Sequence, residues 1–166
     1  MPTIGEIASI ASALALIVAV VFGILQVRHM GKTRALFAAA ELVHAMQTTE
    51  FTRSIAGVER LPDSADPDQI RMDPVTLAAV GHISHILETL GVLVYYRVVP
   101  IHVVDDLLGG YVRMCWRKLR PLSESRRREM GIYYGEWMQW LAERLEAFPS
   151  PGKGQGAHIA HKDWRP

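Results

Sequence analysis

Residues 7–27 read IASIASALALIVAVVFGILQV, 21 consecutive positions without a charged side chain. At 1.5 Å per residue such a run forms a helix about 30 Å long, the thickness of a bilayer's hydrocarbon core. The flanks set its orientation. The preceding MPTIGE contains Glu6 and no Lys or Arg, whereas Arg28, Lys32 and Arg34 follow. A secretory signal peptide carries its positive charge ahead of the apolar run, so this pattern reads as a retained transmembrane anchor. The positive-inside rule puts the N-terminus outside and everything from Arg28 onward in the cytoplasm. That is the topology of a single-pass protein of the bacterial inner membrane, with the lipid bilayer as its first partner. Within the run, Ala11, Ala15, Ala19 and Gly23 recur every four residues. Positions i and i+4 share one helix face, and small residues there allow close helix–helix approach in lipid. Self-association through this face is expected, against the alternative that a run rich in Ala and Ser makes such a stripe by chance.

The composition agrees with one anchored domain. The chain has 166 residues, 49% hydrophobic and 21% charged, and a mean hydropathy of +0.11. The length suits a single modest domain, and the apolar content excludes global disorder. Cys115 is the only cysteine, which excludes a disulfide scaffold. A formal net charge of +1 gives no overall case for nucleic acid.

The spacing after Arg28 predicts an all-α fold: the transmembrane helix followed by an antiparallel cytoplasmic helical bundle over 28–148, then a flexible tail over 149–166. Period-2 alternation is absent, so no sheet is expected. One helix is expected to continue from the membrane through Arg34 to about Arg60, with Gly31 as a bend. Leu61–Asp73, with Pro62, Pro67 and four Asp, reads as a loop. Asp73-Pro74 is a helix start, an N-cap acceptor followed by proline. Leu77, Val80, Ile83, Leu87, Leu90 and Val94 mark the buried face of the helix that follows, expected to be central. Pro100 opens the next helix. Val103, Val104, Leu107, Leu108, Tyr111, Val112, Cys115, Trp116 and Leu119 form its wide apolar stripe, Gly109-Gly110 interrupts it, and Pro121 is expected to end it. Ser123 or Ser125 would cap a last helix running to Phe148, with Met130, Tyr134, Met138, Leu141 and Leu145 as its seam.

This arrangement resembles a family of uncharacterised bacterial single-span membrane proteins with a cytoplasmic helical domain. The shared features are the anchor leading into Gln26-Val27-Arg28, the stretch Leu87–Val94 (LETLGVLV), Val99-Pro100-Ile101 with Asp105 and Leu107, and then Trp116, Pro121 and Arg127. The resemblance covers most of residues 1–148. It implies the topology and no established activity.

Chemical motifs are few, and no catalytic residue or cofactor is implied. Gly31-Lys32-Thr33 has the end of a phosphate-binding loop, but Gln26 stands where the first glycine belongs and no strand precedes it. His82, His85 and Glu88 sit at three-residue steps and form a polar stripe, with Asp105, Asp106, His44 and His102 as possible further ligands. The order His-x-x-Glu occurs once, whereas di-iron bundles need paired Glu-x-x-His units. The stripe is therefore read first as a polar face and second as a metal site of a sensor or enzyme. Glu88 lies among apolar residues and needs a partner; Arg113 or Arg117 is expected to supply it. Arg113, Arg117, Lys118, Arg120, Arg126, Arg127 and Arg128 face a single acid, Glu124, between residues 113 and 128. This basic patch suits anionic lipid or an acidic protein, or else a solvated turn paired with the acidic residues at 59–73. RNA is disfavoured for want of an aromatic platform. The expected function is a non-enzymatic, membrane-anchored assembly or interaction module, homo-oligomeric or a small subunit of a membrane complex. The alternatives are the metal-dependent protein and an oligomeric pore.

Overall fold

The computed structural model describes residues 19–22, 26, 37–148 and 157–165. The chain divides into two units, Met1–Phe37 and Ala38–Pro166. In the first unit, residues 19–22 are helical, and Val20, Val21 and Phe22 are exposed. The rest of the apolar run at 7–27 lies outside the described residues apart from Gln26, which is helical.

All regular structure among the described residues is helical. Helix α1 spans Phe37–Met46. A single helix to Arg60 does not form, because the chain breaks at Gln47-Thr48. Thr48 adopts an extended backbone and its hydroxyl accepts the Phe51 N–H at 3.2 Å, starting α2 (Thr49–Glu59) afresh. The expected loop over 61–73 contains a short helix, α3 (Pro67–Met72), whose N-cap Asp66 accepts the Asp68 N–H at 3.0 Å. Asp73 then caps α4 (Pro74–Tyr95) as its sequence predicts, accepting from the Val75 N–H and the Thr76 hydroxyl. The Thr76 bond first, then the Val75 bond, holds its carboxyl below the usual range.

Helix α5 (Ile101–Met130) passes straight through Pro121. A mid-helix proline removes one N–H and leaves the carbonyl four residues earlier without its donor. Here that carbonyl belongs to Arg117, and it accepts the Ser64 N–H at 3.1 Å; the Lys118 carbonyl accepts the Ala65 N–H at 3.0 Å. The loop after α2 thus repairs what the proline breaks. The helix ends only at Gly131, with φ +101°, and α6 (Glu136–Ala147) begins after Gly135, with φ +69°. Ser123 and Ser125 are therefore buried inside α5 and cap nothing. Met130 and Tyr134 fall outside α6, so its buried seam is Met138, Leu141, Ala142 and Leu145. A four-residue helix, α7 (Ala157–Ala160), lies in the tail.

In the second unit α4 is the hub. It packs mainly on α2 and α6, while α5 packs mainly on α6 and touches α4 only slightly. Val80, Ile83, Leu87 and Leu90 of α4 join Phe51, Ile55 and Val58 of α2, Val104, Leu108, Val112 and Leu119 of α5, and Leu141 and Leu145 of α6 in one core. Each such side chain gains about 1.5–3 kcal/mol on full burial, so this core outweighs any single polar contact. Close approach is required at Gly91, where a Cβ would meet the Trp137 carbonyl oxygen at 2.5 Å. Phe51 and Tyr111 meet edge to face, and Glu59 meets Lys118, so α2 runs in the same sense as α5.

Candidate functional site

The polar stripe of α4 is split among unrelated contacts. His82 Nδ1 lies 3.7 Å from the Glu50 carboxylate at the start of α2. His85 is exposed, and its backbone carbonyl accepts the Thr89 hydroxyl at 3.0 Å. Glu88 turns toward α6. The further ligand candidates do not converge on it: Asp105 is held by Arg113 at 2.6 Å, and Asp106, His44 and His102 are exposed. Among the described residues no group of three or more His, Cys, Asp or Glu is placed to hold a metal ion.

Glu88 does not pair with Arg113 or Arg117. Its carboxylate accepts the Met138 N–H at 2.6 Å, in the first turn of α6. Gly135, the N-cap of α6, has no side chain to offer, so a residue from another helix caps this end. The sign suits the positive pole of the helix dipole. Burial pushes the Glu88 carboxyl above the ordinary glutamate range, and the backbone N–H groups of Met138 and Trp137 oppose that rise. Glu136 adds to the rise and Arg127 opposes it.

The basic run is largely spent inside the domain. Arg113 bonds Asp105 at 2.6 Å and the Leu145 carbonyl at 3.0 Å, and lies 3.5 Å from Glu146. Asp105 and Arg113 meet across two helical turns because Gly109 lies between them. A Cβ there would stand 2.6 Å from the carboxylate and 2.7 Å from the guanidinium. Gly109 and Gly110 also leave a shallow open depression beside Asp106, Leu107, Tyr111 and Met114. Arg117 pairs with Asp63 at 2.8 Å, and Arg120 pairs with Glu124 at 2.7 Å. Lys118, 9% exposed, donates to the Glu59 carbonyl at 3.2 Å and to the Leu61 carbonyl, closing the C-terminal end of α2. Arg127 donates to the Tyr134 and Gly135 carbonyls at 2.7 and 3.0 Å and to Gln139 at 2.7 Å. Arg126 lies 3.6 Å from Glu129. Arg128 is exposed and has no ion pair among the described residues.

Cys115 is fully buried, and burial pushes its thiol up to about 12, with Glu59 adding to the rise and Lys118 opposing it. A thiol so placed is inert. Of the small-residue stripe, Ala11, Ala15 and Gly23 lie outside the described residues, and Ala19 is helical and exposed. No protein-family profile, curated protein or solved structure matches the chain. Lys118 is the role that spacing alone missed: its neighbours in sequence are basic and apolar, and the carbonyls it meets come from the last residue of α2 and the loop after it, 59 and 57 residues away.

Proposed function

We propose that this chain is a membrane-anchored, non-enzymatic helical module of the bacterial inner membrane. It assembles with itself or serves as a small subunit of a larger membrane complex, with its antiparallel helical domain in the cytoplasm. The observation that carries this reading is the uncharged run at 7–27 followed by Arg28, Lys32 and Arg34. The family resemblance implies the same topology. Among the described residues one helix, Pro74–Tyr95, is also long and apolar enough to cross a membrane by length and composition. Its buried face packs on α2 and α6, and its Glu88 bonds the α6 backbone, so we assign it to the core and the anchor to 7–27. Several charged side chains of the helical domain are spent within it, Glu88 on the α6 backbone, Arg113 on the Leu145 carbonyl and Arg117 on Asp63.

Topology is tested by fusing a cytoplasm-only reporter after Pro166 of the full chain. Activity is expected; activity of a periplasm-only reporter at the same place would reverse the orientation. Self-association is tested in detergent and in lipid. Replacing Ala15 and Ala19 with Ile should weaken it, because the helix backbones could no longer approach. A wild-type chain that stays monomeric at every accessible concentration would remove the assembly reading.

A further inference from the structure

We infer that two copies of this chain pair through the outer face of α6, antiparallel and about a two-fold axis at Trp140, an inference that rests on the self-assembly reading. Among the described helices α4 and α5 pack on α6, whose buried residues are Met138, Leu141, Ala142 and Leu145. Away from that core, Glu136, Trp140 and Arg144 recur every four residues and so lie in one row along the helix. Trp137, three residues before Trp140, borders the same row. The Trp137 and Trp140 rings lie 6.0 Å apart, and Tyr95 of α4 joins both, at 5.1 and 5.8 Å. Tyr96 meets Tyr95 edge to face at 5.2 Å. The four rings are therefore one contiguous cluster. Tyr95 is 54% and Tyr96 70% exposed, and the two tryptophans are half-buried. Trp and Tyr are among the side chains most enriched where binding energy concentrates.

The charges at the two ends of this cluster have opposite signs. Glu136 stands one turn before Trp140 and Arg144 one turn after it, and neither has an ion pair among the described residues. The other acids of α6 are engaged toward α5. Glu143 accepts from Gln139, itself bonded to Arg127, and Glu146 lies 3.5 Å from Arg113. Glu88 of α4 meets the first turn of α6, and Tyr95, two turns later, reaches Trp140, so α4 runs in the sense of α6. Arg97, which follows Tyr96 and has no ion pair among the described residues, therefore stands at the Arg144 end. Glu88 and Glu136 stand at the other.

A face with acids at one end, rings in the middle and bases at the other is complementary to itself turned about a two-fold axis. Such an interface pairs residue i with j and j with i. With Trp140 at the axis, Glu136 of each copy meets Arg144 of the other, and the rings meet between them. The same charges reject the parallel arrangement, which would set Glu136 on Glu136 and Arg144 on Arg144. The exposed parts of Tyr95 and Tyr96 supply roughly 200–300 Å², at about 150–250 Å² for a whole aromatic side chain. That is small beside the about 800 Å² that each partner gives to a standard interface. The pair is therefore reversible, and its charges fix its register.

The test uses the full chain in detergent, with a donor or an acceptor fluorescent protein fused after Pro166, and reads energy transfer between copies. Glu136→Arg alone and Arg144→Glu alone each set like charges across the axis, and each should raise the dimer Kd about ten-fold or more. Mixed in one tube, the two single variants should pair with each other at wild-type strength, because every contact is then Arg with Glu. A chain carrying both changes should pair with itself again. Rescue by mixing cannot come from refolding, so a damaged α6 and a broken interface give different results. Single variants that pair as well as the wild type overturn the α6 face. Losses that neither mixing nor the double change restores overturn the second copy as its occupant. Transfer that ignores these charges but is lost with Ala15→Ile and Ala19→Ile lies in the anchor; it overturns the α6 pairing and leaves the assembly reading standing. A wild-type chain that stays monomeric at every accessible concentration overturns both.

Discussion

Helix α4 sends a carboxylate, Glu88, to the start of a neighbouring helix, and α5 sends an ammonium, Lys118, to the end of another, so the two act with opposite signs. Glu88 on α4 accepts the Met138 N–H at the start of α6, and Lys118 on α5 donates to the carbonyls of Glu59 and Leu61 at the end of α2. Each charge meets the pole of the dipole that it complements. The surroundings differ. Lys118 has two carbonyls and the Asp63 carboxylate 3.9 Å away. Glu88 has one strong bond and no cation in contact, and burial outweighs its bonds to raise its carboxyl. The lysine is fully compensated; the glutamate trades desolvation against a cap. Both tie together elements that are remote in sequence, so the charges act as fasteners before they act as a surface.

Removing Lys118 should have the largest effect. Lys118→Met keeps the aliphatic stem and strands two carbonyls in a part-buried site. The expected loss is about 2–3 kcal/mol, the cost of buried acceptors left unpaired. Urea unfolding followed by tryptophan fluorescence reads it directly. A loss below about 0.5 kcal/mol, the size of an ordinary surface change, would mean the lysine closes nothing.

Glu88 sharpens the contrast because its two functions separate. Glu88→Ala removes the cap and should cost about 1–2 kcal/mol. Glu88→Gln keeps an acceptor for the Met138 N–H and removes the buried charge. The pH dependence distinguishes them. A carboxyl raised in the folded state binds its proton more tightly there than in the unfolded chain. Its contribution is therefore fully present below the ordinary glutamate value near 4.5 and is lost as pH rises through the raised one. The stability of Glu88→Gln relative to the native chain should accordingly rise from pH 4 to pH 7. A relative stability that falls over that interval would show that the ionised carboxylate is the favoured form.

The helical architecture was legible wherever local rules decide. Asp73-Pro74 starts α4 and the apolar stripe of α4 is its buried face, because capping and periodicity are properties of adjacent residues. Pro121 misled because its penalty is local while its remedy is not: Ser64 and Ala65 arrive from the loop after α2. With the break removed, Ser123 and Ser125 lost their expected role as caps, and the true turn moved to Gly131–Gly135, where positive φ marks both ends. Glu88, set among apolar residues, needs a partner, and the partner is the Met138 backbone N–H, which no residue identity advertises. Within the basic run, spacing showed the charge but not its use. Asp63, Asp105, Glu146 and five backbone carbonyls take up much of it.

The two histidines should show the smallest effects, and they test whether the α4 stripe has any chemistry beyond Glu88. His85 is exposed, with only its backbone carbonyl engaged, by Thr89. His82 meets Glu50 at 3.7 Å across a largely exposed gap, as an ion pair only when the imidazole is protonated. Exposed pairs of this kind contribute little. Single His→Ala changes at either position should therefore alter stability by no more than about 0.5 kcal/mol. Added zinc should leave the melting temperature unchanged, since an ion that binds only the folded state must raise it. His82 turns to α2, Glu88 to α6, and Asp105 is locked to Arg113, so the stripe has no common point at which an ion could gather donors. A melting temperature that rises with one zinc per chain, and loses that rise in both His→Ala variants, would show that the three side chains swing together. The α4 surface would then be a binding site, and the fastening role would belong to α5 alone.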